Sequence, residues 1–290
     1  MTWLAIAKKD FRDAIQSRAL WALVAVFVLL SLVSTYSYVE VPELFGGAGG
    51  ATFAGLVFFT VGLIGLFVPL AAIVVCYKSL AGEREIGSIK LLLSLPTNRL
   101  NVFAGKVVGR AAVLVFGLGV GLLVGLGFGS VLLGTLELGA TLVFVLVTLG
   151  FAGIYAGIVV GLSATTGSTS RATTLALGFF VVFELLWDVV PMAAVYVVNG
   201  FNLPSMMPDW VFLVSQVSPS SAYLSTVVAL LPELAEMAGA APPQSGVGVE
   251  VTPAEPDPFF LSPEMGIVIL ALWIIVPFLI GYYRFSVADL

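Results

Sequence analysis

Few residue types in this chain could carry chemistry, and the two clearest candidates lie in an apolar stretch. Glu184 and Asp188 occur in the segment VVFELLWDVVP and are four residues apart, so on a helix they share one face. Two such carboxylates could bind a cation or carry a proton, but without His or Cys they are poor ligands for copper. The chain has no histidine and a single cysteine, Cys76, which excludes an internal disulfide. We therefore predict no metal site and no catalytic residue.

The elements that must position these carboxylates are long apolar segments. Hydrophobic residues make up 60% of the chain, charged residues only 10%, and the mean hydropathy is +1.12. A stretch of about 20 apolar residues spans the bilayer core, and backbone groups in lipid must be satisfied within the segment. The sequence therefore predicts an all-α integral membrane protein with six transmembrane helices. These spans cover about 19–39, 52–77, 107–133, 139–162, 173–198 and 265–283.

The basic residues predict the orientation of these spans. All 12 lysines and arginines lie before span 1, between spans 2 and 3, between spans 4 and 5, or after span 6. Because positive residues mark the cytoplasmic side, we expect both termini to be cytoplasmic and the protein to lie in the cell membrane. The segments on the other side carry acids and no basic residue. This acidity would suit a salt-rich medium, or it follows from the positive-inside bias alone. These segments are 40–51, 134–138 and 199–264.

Two interpretations of the carboxylates in span 5 remain open. Glu184 and Asp188 could line a polar path through the membrane or form a cation or proton site. Alternatively, they are a protonated or hydrogen-bonded pair that locks helices together. A charge at mid-bilayer costs about 2.5–3.5 kcal/mol on insertion scales, so the side chains need partners. Trp187 beside them and Pro191 just beyond predict a break or kink in the outer half of this span.

Two segments outside the spans have patterns of their own. Residues 1–18 place apolar residues at helical spacing and most charges on the other face, which predicts an amphipathic helix on the inner membrane surface. A simple membrane anchor would show the same pattern. The first part of 199–264 predicts short helices that dip into or lie on the outer leaflet. Its second part is rich in Pro and Gly, which is typical of a flexible or extended loop.

Glycines in span 3 recur every fourth residue and therefore share one helix face. Such a face lets two helices approach closely in lipid. The glycines are Gly117, Gly121, Gly125 and Gly129. A phosphate-binding loop is not indicated, because no strand precedes these glycines and the GxxxxGK[ST] pattern is absent. Gly105 and Lys106 are followed by Val107 instead of Ser or Thr, so we do not expect this chain to bind ATP itself.

Residues 83–95 are polar enough to form a water-exposed helix between spans 2 and 3. Glu83 and Glu85 lie near its start, where the helix dipole favours negative charge. Four apolar residues line one side: Ile86, Ile89, Leu92 and Leu93. Such a face must pack on lipid or on a partner, so the segment either docks a cytoplasmic protein or only anchors the topology. Pro96 should end the helix, and Thr97 or Asn98 can cap the helix that leads into span 3.

Two stretches resemble the permeases of type 2 ABC exporters. The first is IAKKDFRDAIQSR at 6–18, and the second is LAGEREIGSIKLLLSLPTNRLNVFAGKVVGR at 80–110. The second matches the family's loop motif through Glu85, Gly87, Ser88, Leu92, Leu93, Pro96, Arg99, Gly105 and Lys106. A weaker match is VSPSSAYLSTV at 217–227, where Ser218 and Leu224 replace the family's Asn and Arg. The overall pattern most resembles permeases of the copper-site maturation systems of nitrous oxide reductase.

The resemblance implies one permease domain over 1–290, with a cytoplasmic surface helix at 1–18, a coupling loop at 78–106 and an extracytoplasmic segment at 199–264. It implies two further proteins: a second permease copy and a separate soluble P-loop ATPase, which would supply ATP and magnesium. No cofactor would be bound by this chain, and nucleic acid is not an expected partner. The residues expected to couple to the ATPase are Glu83, Glu85, Gly87, Ser88, Ile89, Leu92, Leu93, Pro96 and Arg99.

Three other classes compete with this hypothesis. An ATP-independent secondary transporter or channel would use Glu184 and Asp188 as its ion site. A membrane enzyme has little support, because the G-x-S-x-G and H-E-x-x-H patterns are absent. A purely structural membrane subunit is the third.

Overall fold

The structure is a computed structural model that describes residues 2–41, 51–94, 97–204, 207–234, 259 and 262–288. Throughout these ranges the ordered elements are helices, and no strand occurs among them. Six helices are long and apolar enough to cross a membrane, and a bent pair of shorter helices would make a seventh span if it counted as one. The prediction of an all-α protein with six spans is confirmed.

The membrane-crossing elements follow the predicted order. They are α2 (Arg18–Glu40), α3 (Phe53–Cys76), α6 (Arg99–Leu133), α7 (Leu138–Ala164), α8 (Thr169–Phe180) with the π-helix Val181–Leu186 and α9 (Val189–Val198), and α12 (Met265–Ser286). The shorter helices are α1 (Trp3–Ile15), α4 (Ala81–Glu85), α5 (Ser88–Leu93), α10 (Asp209–Ser215) and α11 (Pro219–Leu230).

Side-chain caps explain where several of these helices begin. The carboxamide oxygen of Asn98 accepts a hydrogen bond of 2.7 Å from the Asn101 N–H, which satisfies a donor at the start of α6. Ser17 and Thr52 cap α2 and α3 in the same way, at 3.3 and 3.1 Å. The sequence predicts Thr97 or Asn98 as the cap, and the structure shows that it is Asn98; α6 runs without a break from Arg99 through span 3.

The core lies around α6 and α7, and glycines allow the closest helix crossings. A Cβ on Gly121 would lie 2.8 Å from the Cβ of Phe27, so α2 rests directly on the backbone of α6. The same face of α6 meets Leu23 at Gly117, Ser31 at Gly125, and both Thr35 and Leu56 at Gly129. We call this line of contact the glycine seam. It extends toward the start of α6, where Gly105 and Gly109 lie against Ile6 and Asp10 of α1.

The amphipathic helix α1 is therefore held by protein contacts as well as by its apolar face. Ile6, Ala7 and Asp10 are buried, while Lys8 and Lys9 are exposed. The prediction that this helix only lies on the membrane surface is incomplete, because α1 packs along the first turns of α6. Glycine makes this possible, since any side chain at Gly105 would collide with Ile6 and with the carbonyl oxygen of Trp3.

The predicted single helix over 83–95 is wrong. Helix α4 ends at Glu85, and α5 begins at Ser88 after a turn at Ile86 and Gly87. Gly87 has a φ of 74°, in the left-handed region that favours glycine, and this conformation interrupts the helix between α4 and α5. The predicted stop at Pro96 lies outside the described residues, as do the side chains of Leu92 and Leu93.

Span 5 is also not one regular helix. The predicted helix over 173–198 begins earlier, at Thr169, and passes through the π-helix before α9. The predicted irregularity beside Trp187 is present. In the segment 199–264, the described part contains α10 and α11, which meet at a bend of 102°. The Pro- and Gly-rich stretch over 235–258 lies outside the described residues.

Candidate functional site

The π-helix of span 5 carries the first candidate site. A π-helix widens the backbone turn and often occurs where a side chain has a functional position. Here it places Glu184 half-buried against α7, where the Tyr155 hydroxyl donates a hydrogen bond to the carboxylate. The hydroxyl and backbone N–H of Ser220, at the start of α11, lie close to the same carboxylate. Asp188, one turn further on, is exposed on the surface of this span.

Helix α11 reaches this site because the bend between α10 and α11 lies inside the helix bundle. The indole N–H of Trp187 donates to the Val214 carbonyl at 2.7 Å, and that of Trp273 donates to the Val217 carbonyl at 2.8 Å. These bonds satisfy carbonyl groups at the end of α10. The Ser220 hydroxyl donates to the Gly65 carbonyl at 2.9 Å, and Gly65 lies near the middle of α3. The start of α11 therefore lies deep within the spans.

Buried aromatic side chains form the wall behind Glu184. The rings of Phe151 and Tyr223 stack with centroids 4.4 Å apart, and Tyr155 meets Phe151 edge-on at 5.0 Å. The Tyr223 hydroxyl and the Thr148 hydroxyl are 2.7 Å apart. Hydroxyl groups in such a buried environment of low dielectric constant can orient a carboxyl group and exchange a proton with it.

The structure brings Glu184 together with partners that sequence reasoning missed. Tyr155 and Ser220 lie 29 and 36 positions away along the chain, and no spacing rule connects them to Glu184. A weak signal existed, since a tyrosine within an apolar span needs a partner for its hydroxyl. Among the described residues, no group of three or more His, Cys, Asp or Glu side chains could hold a metal ion.

A second candidate site lies at the end of the bundle where most basic residues gather, which we call the charged end. Basic side chains there cap the carbonyl ends of long helices, where the helix dipole is negative. Arg84 donates to the carbonyls of Ala164 and Thr166, both at 3.1 Å, at the end of α7. Arg99 donates to three carbonyls at the end of α12: Phe285, Ser286 and Ala288, at 3.1, 2.6 and 3.0 Å.

Two further contacts tie the loop before α6 to the connection between α7 and α8. The Glu85 carboxylate accepts a hydrogen bond of 3.0 Å from the Thr169 N–H, at the first turn of α8. This hydrogen bonding from Thr169 lowers the pKa of Glu85. The Ser163 hydroxyl, near the end of α7, accepts from the N–H groups of Leu80 and Ala81. The loop and the α7–α8 connection therefore form one connected layer.

A buried ion cluster joins α1, α4 and α6 in the same layer. Lys106 pairs with Asp10 at 2.9 Å and with Glu83 at 2.6 Å, and Arg110 pairs with Asp10 at 2.9 Å. The side chains of Lys106 and Asp10 are only 9% and 7% exposed, so these two charges depend on each other. Sequence reasoning missed this cluster because its members are up to 100 positions apart.

The charged end also shows which apolar side chain faces outward. Ile86, at the turn between α4 and α5, is 78% exposed, and its neighbours Glu85 and Lys90 are exposed as well. Ile89 is 1% exposed and belongs to the core. The prediction that Ile89 contacts a partner is wrong, because α5 turns that side chain inward. Gly87 and Ser88 are half-buried beside it.

These features are those of a membrane transport subunit, and a comparison with known proteins gives the family. The model of the ABC-2 family transporter protein matches residues 4–290, so this chain belongs to that family. It is a transmembrane permease subunit of an ABC transporter, a subunit that is not itself the catalytic one and that associates with an ABC ATPase.

Two curated relatives carry the same description, probable ABC transporter permease protein NosY. The relative from Pseudomonas aeruginosa is 28% identical over 229 residues, with 75% of this chain and 78% of the relative covered. The relative from Stutzerimonas stutzeri is 25% identical over 226 residues, with the same coverage. The chain is thus similar to NosY permeases within the type 2 ABC family.

Proposed function

We propose that this permease works as an exporter, that the charged end faces the cytoplasm, and that a separate ATPase docks there on the turn at Ile86. The observation that carries this proposal is the exposed turn itself. An isoleucine that is 78% exposed and flanked by Glu85 and Lys90 offers one apolar anchor within a charged rim. Protein interfaces commonly combine an apolar centre with a polar rim. ATP and magnesium would enter only through the ATPase.

The contacts of the loop suggest how a movement of the ATPase would reach the membrane. Glu85 holds the first turn of α8, and Arg84 holds the end of α7. Helix α8 continues into the π-helix that carries Glu184. A displacement of the turn at Ile86 would therefore act on α8 and, through it, on the contacts of Glu184 with Tyr155 and Ser220.

The proposal includes a second permease copy beside this chain. Three spans are only slightly covered by the rest of the chain. The buried share of the most apolar stretch is 22% in α2, 17% in α8 with the π-helix, and 22% in α12, so large faces remain for lipid and for a partner. The similarity to NosY permeases supports the narrower proposal that the chain serves the copper-site maturation of nitrous oxide reductase.

The decisive experiment replaces the exposed apolar anchor with a charge. We expect Ile86→Asp to fold and insert normally, because the side chain makes no core contact, but to lose the ATPase on co-purification and to lower its ATPase rate in liposomes. The matched control is Leu136→Asp, a 49% exposed apolar residue at the opposite end of the bundle. Ile89→Asp is unsuitable as a test, because it would bury a charge in the core.

Two results would contradict the proposal. Full co-purification and a normal ATPase rate for Ile86→Asp would mean that the turn faces lipid and that the loop is only an anchor. Equal losses for Ile86→Asp and Leu136→Asp would mean that the effect is not local to the charged end.

A second candidate function, ATP-independent ion or proton transport, rests on the contacts of Glu184. A half-buried carboxylate with a Tyr155 hydroxyl partner inside a span could relay protons. Liposomes that contain the permease without its ATPase, loaded with a pH-sensitive dye, separate the two functions. Proton flux that Glu184→Gln abolishes would favour the transporter or channel, whereas an absence of flux without the ATPase favours the exporter.

A further inference from the structure

Helix α1 has one flank that the rest of the described chain leaves largely uncovered. Its members recur every three or four residues and therefore share one side of the helix. They are Leu4, Lys8, Phe11, Arg12 and Ile15, and we call them the outward flank. All are exposed except Phe11, which is half-buried. The other side of α1 carries Lys9 and Asp13, which line a cavity between α1, the last turn of α3 and the first turns of α6.

Two contacts with membrane-crossing helices show which way the outward flank faces. The ring of Phe11 meets that of Phe116 in α6 edge-on, with centroids 6.2 Å apart, and Phe116 is itself exposed on its span. The indole N–H of Trp21 in α2 donates to the Ile15 carbonyl at 3.1 Å, and the Trp21 ring is 55% exposed. Tryptophan is enriched where membrane meets water. The apolar side chains of the outward flank therefore face the lipid around α2 and α6.

The two basic residues of this flank lie at the level of the lipid headgroups. Lys8 and Arg12 are each two residues from Asp10, and Asp10 lies against Gly109, among the first residues of span 3. Side chains of lysine and arginine at this depth keep their alkyl stems on apolar surface and place the charge among the phosphates. Lys8 and Arg12 are four residues apart, so they can approach one lipid cluster together.

The charges of Lys8 and Arg12 are not neutralised by the described part of the chain. The ion pairs found there join other residues, and neither side chain has a carboxylate within 4.0 Å. Asp10 is buried against α6 and pairs with Lys106 at 2.9 Å. Asp13 belongs to the cavity side of the helix. The outward flank therefore carries two unpaired positive charges and no negative one.

We propose that the outward flank of α1 binds anionic phospholipid in the leaflet at the charged end. Phosphate oxygens accept hydrogen bonds from the Lys8 ammonium and the Arg12 guanidinium, and the acyl chains lie against the apolar residues of the flank. A zwitterionic lipid has the same phosphate, but its own cationic amine opposes these two charges. A second permease copy related by a two-fold axis through this flank would bring like charges together. The proposal is independent of where the ATPase docks.

Native mass spectrometry of the permease–ATPase complex tests the proposal. The complex is purified from an equimolar mixture of phosphatidylglycerol, phosphatidylethanolamine and phosphatidylcholine, and the retained lipids are counted. We expect selective retention of phosphatidylglycerol. Lys8→Gln and Arg12→Gln should each lower this retention about fivefold, and the double variant about 25-fold. The matched control is Lys9→Gln, which removes the same charge from the adjacent residue on the cavity side and should change retention little.

Several results would overturn the proposal. Equal retention of the three lipids would remove the selectivity for negative charge. Equal losses in Lys8→Gln and Lys9→Gln would mean that only the total charge of α1 matters, and unchanged retention in the double variant would place the lipid elsewhere. The same spectra report the other subunits. If the double variant kept its lipid but lost the ATPase or a second permease copy, the outward flank would be a protein interface instead.

Discussion

The glycine seam and the π-helix of span 5 hold their helices in opposite ways. In the seam, α6 and α2 approach until backbone meets side chain, and 44% of the most apolar stretch of α6 and 22% of that of α2 is buried. In span 5, 17% of the most apolar stretch is buried. Hydrogen bonds from Tyr155 to Glu184 and from Trp187 to the Val214 carbonyl hold it, together with the ring contacts of Phe183 with Trp187 and Trp273. One region relies on close contact between helix backbones, and the other on a few hydrogen bonds and aromatic ring contacts.

This difference indicates where the molecule can move. Close packing has one good arrangement, because a small shift loses many van der Waals contacts at once. A segment with few buried apolar contacts and exchangeable hydrogen bonds opens at lower free energy. We therefore expect the seam to act as the frame that holds α1, α2 and α6 together, and span 5 to be the element that shifts more easily. Three predictions test this contrast, from the largest expected effect to the smallest.

The largest effect is expected at Gly125. A Cβ there would overlap the Ser31 hydroxyl, and the Thr35 hydroxyl donates to the Gly125 carbonyl at 3.3 Å. Gly125→Leu must push α2 away, at a cost of at least about 1–3 kcal/mol for overpacking. We expect loss of most folded protein, measured as the monodisperse fraction after detergent extraction.

The matched control for the seam is Gly119→Leu, on another face of α6. Its nearest neighbour is Leu149, at 3.8 Å from an added Cβ, so the larger side chain has room. Equal yields of Gly119→Leu and Gly125→Leu would show that the seam does not act as a frame.

An intermediate effect is expected at Glu184. Glu184→Gln can still accept the hydrogen bond from Tyr155, so we expect normal assembly. It cannot carry a charge or release a proton, so we expect a several-fold lower ATPase rate in the reconstituted complex. Tyr155→Phe should act in the same direction, and Asp188→Asn, at an exposed position, should change the rate less. A normal rate in Glu184→Gln would show that the carboxyl group only bridges helices.

The smallest effect is expected at Glu137, which lies outside both regions at the end opposite the charged end. A hydrogen bond with Glu233 raises the pKa of Glu137 above its ordinary value of 4.5. The folded state therefore holds this proton more tightly than the unfolded state, so the added stability is present below pH 4.5 and is lost as the pH rises through the raised pKa. Wild type minus Glu137→Gln should show a slightly larger difference in Tm at pH 4 than at pH 7.

A difference in Tm that is the same at both pH values would contradict the link between Glu137 and Glu233. The side chain is largely in water, so solvent screens this interaction and the shift in Tm should remain small. This variant therefore shows how small the effect of a substitution outside both regions should be.

Hydropathy, spacing and cap chemistry were enough to predict the local features of this fold. The six spans follow from runs of apolar residues, and a cap at Thr97 or Asn98 follows from their position before an apolar helix. The break at Gly87 carried a signal that was underused, since glycine within a short helix costs about 1 kcal/mol relative to alanine. The spacing of Ile86 and Ile89 could not show which of the two faces inward, because that depends on the helices packed around them.

The partners of the charged residues could not be predicted for a different reason. Lys106, Asp10 and Glu83 come from three separate helices, and the contact exists only after α1 and α4 pack on α6. Glu184 meets Tyr155 for the same reason. A single sequence contains the charges but not the long-range pairing, so each carboxylate was predicted to need a partner without that partner being named.

The bonds of Arg99 have a consequence for the order in which the protein is made. Arg99 is synthesised 186 residues before Phe285, the first of its three carbonyl acceptors. During translation, the start of α6 therefore leaves the ribosome long before the groups that will hold this guanidinium exist. The layer at the charged end closes only when the last helix has been inserted. A chain that stops before α12 leaves the Arg99 guanidinium without these three carbonyl acceptors. The surface proposed to receive the ATPase is therefore complete only when the whole polypeptide has been made.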